Sequence, residues 1–597
     1  MMKRFFPLLA TLLLFIFPLL VSHSCANTTE APSGGDKDSI PPYIIDIKPL
    51  PGATDVPLKG AKFVFTFNEF VTIKTASNIY LSPPQRKQPK SRLKGKNLIV
   101  SFEDSLAPNT TYTLSFTDAI ADANEGNVFA GYTYVFSTGS RIDSMMVTGM
   151  VQDCNTLNPV KGATVILHTD LGDSAIFKTR PYAATRTDDW GYFVLPFVKD
   201  TTYRLYAITD SDNDHVLNPE TELVAFYDSI IRPHYTASDT VREMLRYDMT
   251  DTIACRARRS EYELNLFRER PGKQYIVKKE RTAERSAYLT FMAPGAVVDS
   301  ISINDYRQTQ IVSQFNRLRD SLELWINSRR AAPDTMKLSV TYFKTDSLGK
   351  LSRQTEDIRL SLSNDRRTYS KRTRKSIKHE DTTCVYTFSP DAKTVEQNGF
   401  PIEFRNPIIS EHFDSVKFTA ISPRQTQAPV RFTVERDSLN LRRYIIRPSE
   451  QLLQGYEYVV KIPHRAFRDI NGYYSDSTEF KCSLPSSDRL SMLETSIVGV
   501  DGKYIVDLLS EKRDKVLRSY VIDSDTTLKF PYLDEGKYCI RITADLNRNS
   551  IVDTGSLLEH RQPEKVRFYE LNGDKFINIP AGTELSQTVD LQKVFAK

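Results

Sequence analysis

One hairpin, written twice, restricts this chain more than any other feature. Residues 106–138, LAPNTTYTLSFTDAIADANEGNVFAGYTYVFST, alternate apolar and polar side chains, turn at Asp122, Asn124 and Gly126, and then alternate again. Alternation with period two puts successive side chains on opposite faces, so each arm reads as a strand with one buried face. Residues 452–483, LLQGYEYVVKIPHRAFRDINGYYSDSTEFKCS, repeat the pattern with a turn at Asp469, Asn471 and Gly472. A chain built this way is expected to be all-β: tandem β-sandwich domains in an elongated, multidomain arrangement.

The rest of the composition agrees. A length of 597 residues allows about four or five ordinary domains, and 40% apolar residues is enough to give each a core. Tyr 29 and Phe 32 against Trp 2 favour strands over helices. Lys plus Arg number 79 and Asp plus Glu 74, a net charge of +5, too nearly balanced to point to nucleic acid.

The N-terminus suggests export. Lys3 and Arg4 precede an apolar run from Phe5 to Val21 that carries Pro7 and Pro18. The run is short and proline-broken for a spanning helix, so residues 1–24 read as a removable signal peptide. Cys25 follows Ser24 and resembles a bacterial lipobox, although Ser22 stands where such sequences usually carry Leu. The resemblance implies that Cys25 is acylated and fixes the protein to a membrane. Ordinary signal-peptidase cleavage is the alternative. Residues 25–42, rich in Gly, Pro, Ser and Thr, would then be a flexible tether.

Residues 43–140 form the first expected domain. AKFVFTFNEFV sets Phe63, Phe65 and Phe67 on one face. The order P-x-x-G-A-x-D-V from Pro49, a phenylalanine strand followed by Glu69, L-x-P-N-T-x-Y ending at Tyr112, and D-x-N-x-G-N resembles the bacterial immunoglobulin-like domain of surface-layer proteins. The preceding C-A-N, G-G, K-D and P-P elements resemble the start of a Bacteroidota-type outer-membrane lipoprotein. These resemblances imply a structural or adhesive module in the cell envelope.

Residues 144–247 follow a second pattern. Gly149 and Val151, then Pro159, Gly162, Ala163 and Val165, then Thr187, Asp188, Gly191 and Phe193 are similar to the carboxypeptidase-regulatory, transthyretin-like fold. That family is non-catalytic, and the resemblance implies a tight turn at Gly191 and a core position for Phe193.

The best candidate for chemistry lies inside this domain. Asp210, Asp212 and Asp214 alternate in DSDNDHVLNPETE, and Asp545, Asn547, Asn549 and Asp553 occupy positions one, three, five and nine of DLNRNSIVDTG. Oxygens at such spacing can converge on a hard cation such as calcium. His215 and Ser550 replace the usual glycine, and neither loop has an acid at position twelve. The other reading is a pair of solvated loops whose side chains bind backbone N–H groups.

Residues 252–364 supply about seven further strands, YELNLFRE, KQYIVKKERT, AYLTFMAP, VDSISIN, LELWIN, MKLSVTYFKT and DIRLSLS, enough for a sandwich without a recognisable family. Trp325, in an alternating strand, reads as core, with a carbohydrate platform as the other reading. Residues 365–381 are a basic linker. Residues 382–486 then repeat the immunoglobulin-like unit, and residues 492–597 repeat the transthyretin-like one. Modules joined by short linkers tend to form a rod.

Six cysteines without C-x-x-C spacing indicate neither zinc nor a redox pair. Cys384 and Cys482 stand on the first and last strands of the second immunoglobulin-like unit, where a disulfide or two buried thiols would fit. Eight histidines fall into no metal spacing, and there is no G-x-S-x-G or phosphate loop. Asp-Ser followed by an apolar residue recurs, as at Asp104 and Asp320, resembling an O-glycosylation signal of such exported proteins. The expectation is a non-enzymatic, lipid-anchored protein whose partners are the membrane and envelope proteins or glycans. A glycan- or peptide-binding lipoprotein is the alternative, and an enzyme hidden in the middle domain comes third.

Overall fold

The computed structural model describes residues 38–129, 131–235, 260–330, 332–347, 349–361, 383–486 and 490–596. Cys25, Cys255, the signal peptide, most of the tether and the basic linker lie outside them. The regular structure of the described chain is almost entirely strand, with only short helical turns. It divides into two compact units: one contains the first sandwich, and the other contains residues 147–195, 201–233 and 259–597.

The first sandwich pairs Ile44–Lys48, Lys62–Phe67, Asn97–Ser101 and Lys90–Lys94 in one sheet, and Thr133–Ser137, Thr111–Ser115 and Tyr80–Ser82 in another. Phe63, Phe65 and Phe67 are fully buried in its core, as alternation along a half-buried strand requires. The fourth module repeats this order. Tyr386–Phe388, Phe400–Phe404, Arg443–Pro448 and Phe432–Arg436 face Thr478–Ser483, Glu457–Ile462 and Lys417–Ile421. Local hydrogen bonds repeat as well. The Tyr112 hydroxyl accepts the Ala107 N–H at 2.8 Å, and the Tyr458 hydroxyl accepts the Leu453 N–H at 2.7 Å. At the hairpin turns, Asp122 accepts the N–H groups of residues 124 to 127, and Asp469 those of Asn471 and Tyr473. Side-chain oxygens thus replace ladder partners where the strand reverses.

The second and last modules also share one order. In the second it runs Ala183–Arg186, Thr164–His168, Arg204–Ile208, Leu223–Phe226, Tyr262–Arg268, Met145–Asp153, Tyr192–Val198. The last reads Val516–Ile522, Tyr504–Ser510, Gly536–Ala544, Val566–Phe568 in one sheet and Glu584–Asp590, Ser491–Val498, Thr526–Leu533 in the other. In both, the latest strand lies parallel to the first, with Gly149 opposite Tyr262 and Met492 opposite Glu584. Gly191 takes φ +70° in the tight turn between Ala183–Arg186 and Tyr192–Val198, strands at opposite ends of that order, and Phe193 is buried.

This closing strand corrects one expectation. YELNLFR, counted with the middle region, is the parallel strand of the second module, because a parallel partner needs a long crossover and therefore comes late in the chain. Ile311–Phe315 makes up the number in the middle sandwich, whose sheets are Ile276–Ala283, Ser286–Phe291, Ser321–Ile326, Ile311–Phe315 and Val298–Ile303, Thr335–Thr345, Leu351–Ser361. Trp325 is only 4% exposed, but its neighbours Leu324 and Ile326 fill the middle core. Its ring lies beneath the Arg442 guanidinium of the fourth module, 5.7 Å away.

Within the larger unit, modules that follow one another in the chain touch. Arg442 also pairs with Glu323 at 3.2 Å, and Gln314 bonds the backbone at Leu439 and Leu441. The fourth module meets the last through Lys393 with Asp534 at 2.6 Å and Tyr532 donating to Glu396 at 2.8 Å.

The Cys384–Cys482 bond is not formed. Both are free, buried thiols in the fourth module's core. Cys384 precedes a strand of one sheet, whereas Cys482 pairs opposite Tyr458 in the other. Burial pushes the Cys384 thiol up to about 12 and raises Cys482 too.

Candidate metal centre

Strand Arg204–Ile208 leaves its sheet at a loop that returns as the antiparallel strand Leu223–Phe226. Asp210 is the first acid past the strand end, and its carboxylate accepts the N–H groups of Asp214 and His215, each at 3.2 Å. Asp212 accepts the Asp214 N–H at 3.4 Å and the Asn218 side-chain amide at 3.2 Å. Asp214 caps the Val216 N–H at 2.7 Å. Asn213 and His215 take φ of 61° and 62°, the left-handed region that short polar side chains tolerate. Beneath the loop lies Glu222, 1% exposed, which accepts the N–H groups of Ser211 and Asn218, each at 2.9 Å.

The last module builds the same loop after strand Gly536–Ala544. Asp545 accepts the N–H groups of Asn549 at 3.0 Å and Ser550 at 2.7 Å. Asn547 accepts the Asn549 N–H at 3.1 Å, and Asn549 accepts that of Ile551 at 2.7 Å. Arg548 and Ser550 sit at φ 59° and 61°. Glu564 spans the base, accepting the N–H groups of Leu546 at 3.1 Å and Asp553 at 2.9 Å. Bond for bond, the two loops are one design.

They differ in charge. In the second module, ligand oxygens of Asp210, Asp212 and Glu222 all lie within 4.8 Å of one another, the only such group of three among the described residues. Arg186 donates to the Asn213 side chain, and the His215 ring is 3.8 Å from Asp210. Burial, and then the neighbouring Glu222 carboxylate, push Asp210 up to about 6. Burial, and then Arg186, hold His215 below the usual range, so at neutral pH it supplies no balancing charge. In the last module Asp553 receives the amides of Asn547 at 2.6 Å and Asn549 at 2.7 Å, and Arg270 at 2.9 Å. Burial opposes ionisation there, but the two amides and Arg270 outweigh it and hold Asp553 below the ordinary range. Lys503 stands 3.9 Å from Asp545.

The first loop is therefore short of positive charge and rich in hard oxygen donors, the chemistry that suits calcium. Its twin already has cations and amide donors in place. Of the residues expected from sequence, Asp210 and Asp212 come together, Asp214 turns away to cap the backbone, and Asn547 and Asn549 direct their amides at Asp553. Glu222 and Glu564 were not anticipated, because neither falls at position twelve. The available signal was an acid one or two residues before the returning strand in both copies.

Residues 38–138 match the family model of the bacterial Ig-like domain. A search of curated proteins finds no match to the chain. Among solved structures, the surface layer protein SbsC, domains 1–6, shares 11% identity over 90% of this chain and 66% of its own, with a TM-score of 0.14. The native alpha-2-macroglobulin of Escherichia coli spanning domains MG0-NIE-MG1 shares 13% over 50% of this chain and 97% of its own, at 0.18. The major pilin subunit BcpA of Bacillus cereus shares 12% over 75% and 99%, at 0.13. The chain thus spans just under two thirds of the first of these. At such scores the likenesses carry no functional argument.

Proposed function

We propose that this chain is a non-catalytic protein of the cell envelope that holds position and presents duplicated β-sandwich modules for structural or adhesive interaction. The observation that carries the reading is the duplication itself. Two kinds of module recur with the same strand order, the same corner tyrosine and the same oxygen-rich loop. What recurs is architecture. The Ig-like match at residues 38–138 and the transthyretin-like motifs of the second and last modules support a role in spacing and contact. No described helix is long and apolar enough to cross a membrane; the lipobox-like setting of Cys25 supports attachment by acylation at the outer membrane. A divalent cation held by Asp210, Asp212 and Glu222 would stiffen the second module.

Mass spectrometry of the mature N-terminus tests anchoring: diacylglycerol on Cys25 is expected, and an unmodified N-terminus beginning elsewhere overturns it. Protease accessibility on intact cells then reports the facing of the modules. The second reading, a glycan or peptide binder, draws on Trp190, 71% exposed in the tight turn beside Asp189 and Gly191. Saturable binding on a glycan array that Trp190→Ala abolishes would favour it over the scaffold.

A further inference from the structure

The last module reaches back to the second through a finger, residues 553–562, that carries on directly from the oxygen-rich loop. The finger turns over where Ser556 and Arg561 exchange backbone hydrogen bonds at 2.7 and 2.8 Å. Leu557 at its tip is 4% exposed and lies in the core cluster of the second module with Ile166, Tyr206, Phe226 and Phe267. Glu269, 6% exposed, accepts the Ser556 hydroxyl at 2.9 Å and the Leu557 N–H at 2.6 Å. Thr554 donates to the Arg268 carbonyl at 3.0 Å, and Gln562 to the Phe226 carbonyl at 2.9 Å. A Cβ on Gly555 would fall 2.8 Å from the Phe267 ring, so the fit leaves no room for a side chain. Nearby, Leu157 packs on Leu509, Cys539, Val566 and Phe568, while Arg541 and Arg513 donate to the carbonyls of Asn155 and Thr156 at 3.3 and 3.1 Å.

We propose that this contact is a latch: an internal docking surface on the second module, built to take a leucine flanked by a hydroxyl and an N–H donor, that releases the last module while both modules stay folded. Three features argue for separability. The finger joins Gly536–Ala544 to Val566–Phe568 and belongs to no sheet, so withdrawing it breaks no ladder. Most bonds across the contact end on a carboxylate or a backbone carbonyl, groups that water satisfies when the surfaces part, as in contacts between domains that move. Opening also rehydrates Glu269, whose burial opposes closure. The main apolar anchors are two leucines, Leu557 and Leu157.

The chain carries its own reporters. Cys539 is fully buried under Leu157, and Cys154 lies in the cluster that Leu557 enters, whereas Cys384 and Cys482 lie in the fourth module's core. Burial pushes Cys539 up to about 11 and Cys154 up to about 12, so alkylation needs an opening event. The experiment is timed alkylation of the full chain carrying Cys25→Ala and Cys255→Ala, read peptide by peptide. Cys539 is expected to react at least about tenfold faster than Cys384 and Cys482. Glu269→Ala, which removes the acceptor of both finger bonds, and, separately, Leu557→Ala should each accelerate Cys539 and Cys154 by about tenfold or more, leaving the other two unchanged. Four thiols reacting together, with both variants accelerating all of them equally, would mean that the contact parts only on global unfolding and would overturn the latch. So would a Cys539 rate that neither variant alters.

Discussion

Asp210→Asn should strengthen the second module at neutral pH in metal-free buffer, although it removes an acceptor of two backbone hydrogen bonds. The Asp210 carboxyl is raised from its ordinary 3.8 to about 6. The folded module therefore binds a proton between pH 4 and 6 that the unfolded chain does not, and stability falls as pH rises through that window. A shift of about two units corresponds to about 3 kcal/mol at most, and screening by solvent halves it to about 1.5 kcal/mol. Asparagine keeps one oxygen and forfeits one of two long bonds, a loss of about 0.5–1 kcal/mol, so the net gain is about 0.5–1 kcal/mol. The twin substitution Asp545→Asn has the opposite sign, costing about 1–2 kcal/mol, because it gives up the Lys503 ion pair and one of two shorter bonds. Calcium inverts the first result. At about 10 mM, and with the roughly 0.1–1 mM affinity of extracellular sites, the wild type gains about 1.4–2.7 kcal/mol that Asp210→Asn forgoes. Amide exchange of Arg204–Ile208 and Leu223–Phe226 reads the second module separately from the last. The reasoning is refuted if Asp210→Asn weakens its module as much as Asp545→Asn weakens the other while wild-type protection stays flat from pH 4 to 7.

Other consequences are simpler to check. Tyr112→Phe and Tyr458→Phe each leave a backbone N–H without its acceptor and should lower the stability of their own module by about 1–2 kcal/mol, seen by urea denaturation followed by exchange. Gly191→Ala puts a Cβ 2.4 Å from the Val151 carbonyl oxygen at φ +70°, so a loss above about 3 kcal/mol in the second module is expected. Arg442→Ala should shift Trp325 emission to the red without unfolding the middle sandwich, since Arg442 caps that ring. Trp190, already exposed, serves as the invariant background.

How much of this was legible depends on the range over which each feature is encoded. Strands such as KFVFTF and turns at Asp122 and Asp469 are written in adjacent residues, so period and turn chemistry reveal them. The oxygen-rich loops were visible for the same reason. The Tyr262–Arg268 strand was visible as a strand but not in its place, since its parallel partner lies far back in the chain and nothing local encodes that choice. Ile311–Phe315 was missed because all five of its residues are at least partly exposed, which flattens the alternation. Glu222 and Glu564 lie beyond any fixed metal spacing, and only superposing the two copies shows that they do one job. The burial of Trp325 by Arg442 and of Leu557 by the second module belongs to contacts between modules, which leave no periodic signature.

The two oxygen-rich loops show what duplication permits. Their backbones are held by the same set of side-chain acceptors, so the loop conformation does not depend on what neutralises it. Charge could then diverge without disturbing the fold. In the last module Asp553 is compensated by the amides of Asn547 and Asn549 and by Arg270 of the second module, which ties charge compensation to the contact between the two, while burial and the neighbouring Asp553 and Asp545 keep Glu564 raised. In the second module burial first, and then repulsion from the neighbouring Glu222, raise the Asp210 carboxyl. A repulsive cluster on a loop that is already rigid is the arrangement from which a cation draws the most stabilisation, because no ordering cost is added when it binds. One copy therefore answers to its own chain and the other to the ionic composition outside it, and the difference between them lies in side chains rather than in the backbone: Asn547 and Asn549 in place of Asp212 and Asp214, Asp553 in place of Asn218, Lys503 beside Asp545, and Arg270 brought in from the neighbouring module.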